Sequence, residues 1–129
     1  MKILLVDDNV HLMKATKRMI EAYNHEVVTA IDSSEALKIL MHECDDVSVG
    51  MVITDYDIND TINGSELAHR IKALDKNMPV LLWSGDPNKI KNSDYADYVL
   101  SKTDNFNKIL VIIDNISKTR SDKLESAKG

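Results

Sequence analysis

The sequence contains few of the residues that cross-link or interrupt a chain. Its 129 residues include one cysteine, two prolines, four glycines, one tryptophan and one phenylalanine. A single cysteine excludes an internal disulfide, and no cysteine–histidine spacing is typical of a zinc site. No apolar run approaches the roughly 20 residues of a membrane-spanning helix. The opening run MKILLVDDN is short and ends in acids, unlike an export signal, so we expect a cytoplasmic protein without membrane contact.

Clustered positive charge is also missing. The chain has 16 lysine and arginine residues against 21 aspartate and glutamate residues, and its net charge is −5. Because a nucleic-acid surface needs clustered positive charge, we expect no nucleic-acid binding by this domain. The length and the 43% share of hydrophobic residues are those of one globular domain.

Short apolar runs alternate with helical patterns along the chain. The runs predict five strands, at Lys2–Val6, Val27–Ile31, Val49–Thr54, Pro79–Trp83 and Tyr98–Leu100. Apolar residues at helical spacing predict four buried helix faces: Leu12, Ala15, Met19, Ile20 and Tyr23; Ala36, Leu37, Leu40 and Met41; Leu67, Ala68, Ile71 and Leu74; and Phe106, Ile109, Leu110, Ile113 and Ile116. Strands that are apolar throughout are typical of a parallel sheet covered by helices on both faces. The pattern predicts a doubly wound α/β domain over residues 1–117, followed by a polar tail at 118–129.

Acidic residues follow two of the predicted strands. Asp7 and Asp8 come after the first strand, and Asp55 comes after the third. Ligands of open parallel sheets bind beyond the carboxyl ends of the strands, so these carboxylates meet if the two strands are neighbours. Oxygen ligands with room for water suit Mg²⁺ or Mn²⁺. A simpler reading stays open, because an acid or Asn9 after a strand often only caps the next helix.

A hydroxyl and an amine lie at the ends of the fourth and fifth strands, at the same predicted edge. Ser84 ends the fourth strand, and Lys102 follows the fifth. A divalent cation and a lysine can neutralise a phosphoryl group, to which a hydroxyl donates a hydrogen bond. Ser84 alone is typical of a turn, and Lys102 alone is typical of a solvated surface. The prediction of a phosphoryl site therefore depends on the order of the acids, the serine and the lysine at successive strand ends.

This order, on a chain of this length, resembles the response-regulator receiver domains of two-component signalling, in particular single-domain regulators of the chemotaxis type. The resemblance covers residues 1–117, and its most specific runs are Ile3–Asn9 and Met51–Asp55. It implies a flavodoxin-like three-layer sandwich. It also implies that Asp55 accepts a phosphoryl group from a sensor histidine kinase or a histidine phosphotransfer protein. A receiver of this kind is not an enzyme beyond its own dephosphorylation, and it switches contacts with a downstream protein.

The resemblance also assigns roles to the other strand-end residues. Asp8 is implied as a direct ligand of Mg²⁺ and Asp7 as a ligand through water, together with Asp55. Asp57 is implied to offer its backbone carbonyl to the metal. Ser84 is implied as the switch hydroxyl, and Lys102 is implied as the lysine that binds the phosphoryl group.

The chain departs from the family pattern around this site. Gly64 lies one position later than the pattern has it, in a loop that lacks the usual Met-Pro pair. Thr103 replaces the proline after Lys102, so the cis peptide common there is expected to be missing. The switch aromatic position holds Val99, and Tyr98 fills that role only if the strand shifts by one residue. The stretch between the fourth and fifth strands is short, and we hypothesise that residues 86–95 become ordered on phosphorylation.

Two other functions stay open at this stage. Asp55-Tyr56-Asp57 after an apolar strand also resembles the DxD nucleophile motif of haloacid-dehalogenase-type phosphatases, although that family places its paired acids late in the chain. The altered region before the fifth strand also fits a receiver-like binding module that works without phosphorylation. Sustained hydrolysis of an aryl phosphate favours the first alternative, and failure to accept a phosphoryl group favours the second. The sequence names no kinase, target or effector domain.

Overall fold

Strands and helices alternate along the described residues as far as residue 85, as the sequence predicts. The computed structural model describes residues 1–41, 49–58, 62–85 and 95–128, with side chains up to residue 119. Most predicted boundaries are confirmed to within two residues. The elements are β1 (Lys2–Val6), α1 (Val10–Glu21), β2 (Glu26–Ala30), α2 (Ser33–Met41), β3 (Met51–Asp55), α3 (Gly64–Leu74), β4 (Val80–Ser84), β5 (Tyr98–Ser101) and α4 (Asn107–Lys128).

The five strands form one parallel sheet in the order β2-β1-β3-β4-β5, which confirms the predicted doubly wound architecture. From β1 the chain runs outward to β2, then crosses to β3 on the other side of β1. The direction of winding therefore reverses between β1 and β3. In the register, Val6 of β1 is opposite Thr54 of β3, so Asp7 and Asp55 are the next residues on adjacent strands.

The core consists of two layers, one on each face of the sheet, because alternate strand residues point to opposite faces. Ile3 and Leu5 belong to a first cluster, whereas Leu4 and Val6 belong to a second. The first cluster lies under α1 and α4, and the second lies under α2 and α3. The helix residues of the first are Met13, Ile20, Ile109, Ile113 and Ile116, and the buried helix residues of the second are Ala36, Leu67, Ala68 and Ile71.

The predicted buried face of α1 is confirmed at Ile20, but its other members lie about one position away from the buried residues. Met13, Thr16 and Ile20 are its buried residues, whereas Met19 and Tyr23 are 45% and 55% exposed. The apolar pattern missed Thr16, whose hydroxyl donates to the Leu12 carbonyl at 2.9 Å. This hydrogen bond satisfies the polar group inside the helix, so a threonine can occupy a core position. Of the remaining predicted residues, Ala15 is exposed and Leu12 half-buried.

Four other apolar residues assigned to buried positions are exposed: Val99 in β5, and three that lie at or just past the end of an element. Met41 is the last residue of α2, Leu74 is the last residue of α3, and Ile31 follows β2. They are 65%, 52% and 47% exposed, because the sheet no longer covers the chain there. The rest of the α3 face and the α4 face are confirmed, with Phe106 half-buried.

The backbone of α4 continues as a helix to Lys128, beyond residue 117. The domain boundary at 117 stays a prediction. The segment for which we hypothesise ordering, residues 86–95, falls outside the described residues except for Tyr95, as does Cys44. Within the described part of the chain, no helix combines the length and the apolar character that a membrane crossing requires.

Candidate functional site

Most of the residues predicted to form the site lie at, or just after, the carboxyl ends of four neighbouring strands. The register pairs Asp55 with Trp83 and Ser84 with Ser101, and it aligns Val6 with Thr54. Because parallel strands in this register end at one edge, residues 7, 55, 84 and 102 are brought to the same side of the sheet. This edge adjoins the reversal of winding, where open α/β sheets bind their ligands.

Three carboxylates converge at this edge. Asp7 and Asp55 are 1% and 6% exposed, whereas Asp8 is exposed. One oxygen from each of the three lies within 4.8 Å of the other two. Asn9 caps α1, its side chain accepting the Leu12 amide at 3.1 Å, so the helix cap does not require Asp8. Oxygen donors open to solvent on one side fit a hard divalent cation.

The electrostatics of the cluster are unfavourable for a buried anion. Burial is the main cause that raises the pKa of Asp7 above its ordinary value of 3.8, and repulsion by the Asp55 and Asp8 carboxylates adds to it. The Asn9 amide, 2.9 Å from Asp7 Oδ1, and the Lys102 ammonium oppose this shift in pKa. Ionised Asp7 thus costs folding free energy that a bound cation would recover.

The Asp55 carboxylate is held from two sides. Its Oδ2 accepts a hydrogen bond from Lys102 Nζ at 3.0 Å, and its Oδ1 accepts the Asp57 amide at 3.3 Å. The same ammonium lies 3.9 Å from Asp7 Oδ2. A half-buried lysine therefore bridges the two buried acids, which partly neutralises the cluster.

A compact turn directs Lys102 toward the acids. The Lys102 amide donates to the Ser84 carbonyl at 2.7 Å, which completes the β4–β5 pairing at Ser84 and Ser101. Asp104 then closes the turn: its Oδ2 accepts the Ser101 amide at 3.2 Å, and its own amide donates to the Ser101 carbonyl at 3.0 Å. No cis peptide occurs in the described residues, in agreement with Thr103 in place of proline. Sequence reasoning missed Asp104, although the Ser-x-x-Asp spacing was the available signal.

The loop after Asp55 is one residue longer than in the family pattern, yet it still requires a glycine at position 64. The Gly64 amide donates to the Tyr56 carbonyl at 2.8 Å. A Cβ on Gly64 would lie 2.5 Å from the Asp55 carbonyl oxygen and 2.8 Å from Tyr56 Cα. The start of α3 thus packs against the backbone that carries Asp55, with Asn63 as the helix cap.

The other predicted site residues lie at different distances from this centre. Ser84 is fully buried at the end of β4, and Asp57 is exposed two residues after Asp55. Tyr98 does not join the acids: it lies at the opposite end of β5 and packs against the first core cluster. Val99 is 38% exposed. The roles assigned to Ser84, the Asp57 carbonyl and Tyr98 stay predictions.

Comparison with known proteins identifies the class that this fold and edge define. The sequence profile of the response regulator receiver domain matches residues 3–114. The chain belongs to this family, and it is a receiver domain of two-component signalling.

The similar proteins agree with that assignment. The chain is 31% identical over 91 residues to the two-component response regulator ARR21 of Arabidopsis thaliana, a match that covers 70% of the chain and 14% of the relative. It is 27% identical over 111 residues to the CAI-1 autoinducer sensor kinase/phosphatase CqsS of Vibrio cholerae, covering 80% of the chain and 16% of the relative. The chain therefore spans only about a seventh of the length of these curated relatives.

Solved structures show the same fold. A receiver domain from Clostridium thermocellum superposes with a TM-score of 0.81 at 27% identity, over 93% of this chain and 96% of that one. The response regulator TrrA of Thermotoga maritima, solved in complex with Mg²⁺-BeF, superposes with a TM-score of 0.78 at 25% identity, over 89% and 97%. The predicted flavodoxin-like receiver fold is confirmed.

Proposed function

We propose that Asp55 accepts a phosphoryl group in a metal-dependent reaction and that this modification switches the protein's contacts. The supporting observation is the placement of the Asp55 carboxylate, which lies 3.0 Å from Lys102 Nζ and within 4.8 Å of the nearest Asp7 and Asp8 oxygens. A single buried carboxylate would need only one cationic partner to neutralise its charge. This acid has a cationic partner and two further acids that a cation would neutralise.

The transfer itself is a displacement at phosphorus. An Asp55 carboxylate oxygen forms the new bond to phosphorus while the bond to the donor breaks, and a histidine donor leaves as an imidazole. The Asp57 amide and the Lys102 ammonium orient the carboxylate before the reaction. Lys102 then faces the charge of the delivered group, a charge-assisted contact that favours the product.

Mg²⁺ or Mn²⁺ fits the donor set. Asp8 and Asp55 would supply carboxylate oxygens directly and Asp7 through water, and the Asp57 carbonyl is the proposed fourth ligand. The bound cation would neutralise the charge of the transferred group. The Thermotoga maritima relative was solved in complex with Mg²⁺-BeF, which supports a metal-dependent phosphoryl site in this fold.

The donor is proposed to be a sensor histidine kinase or a histidine phosphotransfer protein. The similarity to part of a sensor kinase/phosphatase supports pairing with a histidine-bearing partner. We assign the protein no enzymatic turnover beyond loss of its own phosphoryl group, and a cytoplasmic location. Ser84, buried beside the site, is the proposed hydroxyl that moves toward the phosphoryl group and changes the surface offered to a downstream protein.

Incubation with acetyl phosphate and Mg²⁺, followed by intact-mass measurement, tests the proposal. The parent should gain the mass of one phosphoryl group, Asp55→Asn should gain none, and chelation should abolish the gain. Glu26→Gln, which removes an exposed acid at the start of β2, is the matched control and should label like the parent. Full labelling of Asp55→Asn contradicts the assignment. No labelling of the parent favours a phosphorylation-independent binding module, and sustained hydrolysis of an aryl phosphate favours the phosphatase.

A further inference from the structure

Trp83 is the only tryptophan in the chain and lies beside the acidic cluster. It is the β4 residue in register with Asp55 on one side and Leu100 on the other. Its side chain is 8% exposed and belongs to the first core cluster. Alternation along a strand puts its ring on the same face as Leu81, in a position that the core alone could fill with any large apolar residue.

The Lys102 ammonium lies over this ring. Its Nζ is 5.5 Å from the Trp83 ring centroid, within reach of a cation–π interaction. The Lys102 side chain is 24% exposed, so the contact is partly shielded from water. The ammonium thus has three partners: the Asp55 carboxylate, the Asp7 carboxylate and the indole face.

The three partners differ in what a metal ion does to them. Asp7 and Asp55 are proposed ligands, so a bound cation would offset their negative charge and weaken their attraction for the Lys102 ammonium. The indole ring is not a metal ligand, and its attraction for the ammonium remains. In the loaded site, the ring is therefore the partner that keeps the flexible side chain of Lys102 beside Asp55.

We propose that Trp83 is a positioning residue for phosphoryl transfer, acting through Lys102. This inference rests on the proposed function of Asp55. It goes beyond that function because it assigns the rate partly to an aromatic ring that touches neither the donor nor the metal. The ring limits the positions of the ammonium, so that it is in place when the phosphoryl group arrives.

A double-mutant cycle on the rate of labelling by acetyl phosphate tests this inference. Trp83→Leu should slow labelling about fivefold, the cost of losing one partly shielded cation–π contact, and Trp83→Phe should restore most of the rate because it keeps an aromatic face. In a Lys102→Met background, Trp83→Leu should cause no further slowing. An equal slowing in both backgrounds would show that Trp83 acts only through packing, and that outcome overturns the proposal.

Fluorescence tests the contact without any phosphorylation. All tryptophan emission comes from Trp83, so Lys102→Met should change its intensity or maximum in the metal-free protein. Lys76→Met, which removes an exposed lysine, should leave the emission unchanged. Unchanged emission in Lys102→Met refutes the contact, even if Trp83→Leu proves too unstable for rate measurements. If the emission responds but the parent accepts no phosphoryl group, the contact exists and the proposed function of Asp55 is what fails.

Discussion

Removing one charge from the acidic cluster should stabilise the metal-free protein. At a separation of 4.8 Å, two unit charges repel by about 3.5 kcal/mol at an effective dielectric of 20 and by about 0.9 kcal/mol in water. Asp8 is exposed, so its two repulsions, with Asp7 and Asp55, lie near the lower figure. Attraction to Lys102 offsets part of their sum. Asp8→Asn should therefore raise the free energy of unfolding by about 1 kcal/mol in chelator.

Mg²⁺ should reverse the order of the two proteins. At ten times its dissociation constant, a cation that binds only the folded state stabilises it by about 1.4 kcal/mol. The parent should gain this amount, whereas Asp8→Asn, which lacks a ligand, should gain much less. Urea unfolding at equilibrium, with chelator and with a series of Mg²⁺ concentrations, measures both effects.

A matched control separates the local effect from a change in net charge. Glu26→Gln removes the same charge from an exposed position at the start of β2, away from the cluster. It should show neither the gain in chelator nor the loss of Mg²⁺ response. If Asp8→Asn is no more stable than the parent in chelator, or gains as much from Mg²⁺, the three acids do not form a strained cation site.

Two further predictions concern the backbone around the site. Gly64→Ala should lower the free energy of unfolding by about 1–3 kcal/mol, because its Cβ would overlap the Asp55 carbonyl oxygen; the control Gly85→Ala, with nothing within 4 Å, should change it little, and equal urea midpoints would contradict the close approach. The pKa of Asp104 is lowered by the Ser101 amide and then by Lys108. A carboxyl whose pKa is lower in the folded state adds stability above its unfolded pKa and loses it as pH falls through the folded value. The advantage of the parent over Asp104→Asn should therefore shrink below about pH 3.8, and urea unfolding between pH 7 and pH 3 that shows a constant difference would refute it.

The strands and the identity of the acids could be predicted from the sequence alone. Uninterrupted apolar runs such as Ile3–Val6 predict strands buried on both faces, because a half-exposed strand would alternate with polar residues. The same runs identify Asp7 and Asp55 as candidate site residues, because each is the first charged residue after an apolar run. Their convergence also followed from sequence, once parallel strands and the usual reversal of winding were assumed.

Which helix residues are buried, and which groups hold Lys102 in place, depend on tertiary packing. A pattern of apolar residues cannot show that the Thr16 hydroxyl donates a hydrogen bond within its own helix. Thr16 was therefore left out of the predicted buried face of α1. The turn at Asp104 and the ring of Trp83 were missed because both depend on where Lys102 lies relative to neighbouring strands. A contact between residues 19 positions apart leaves no local pattern in the sequence. Register and packing create it, and these are properties of the folded sheet.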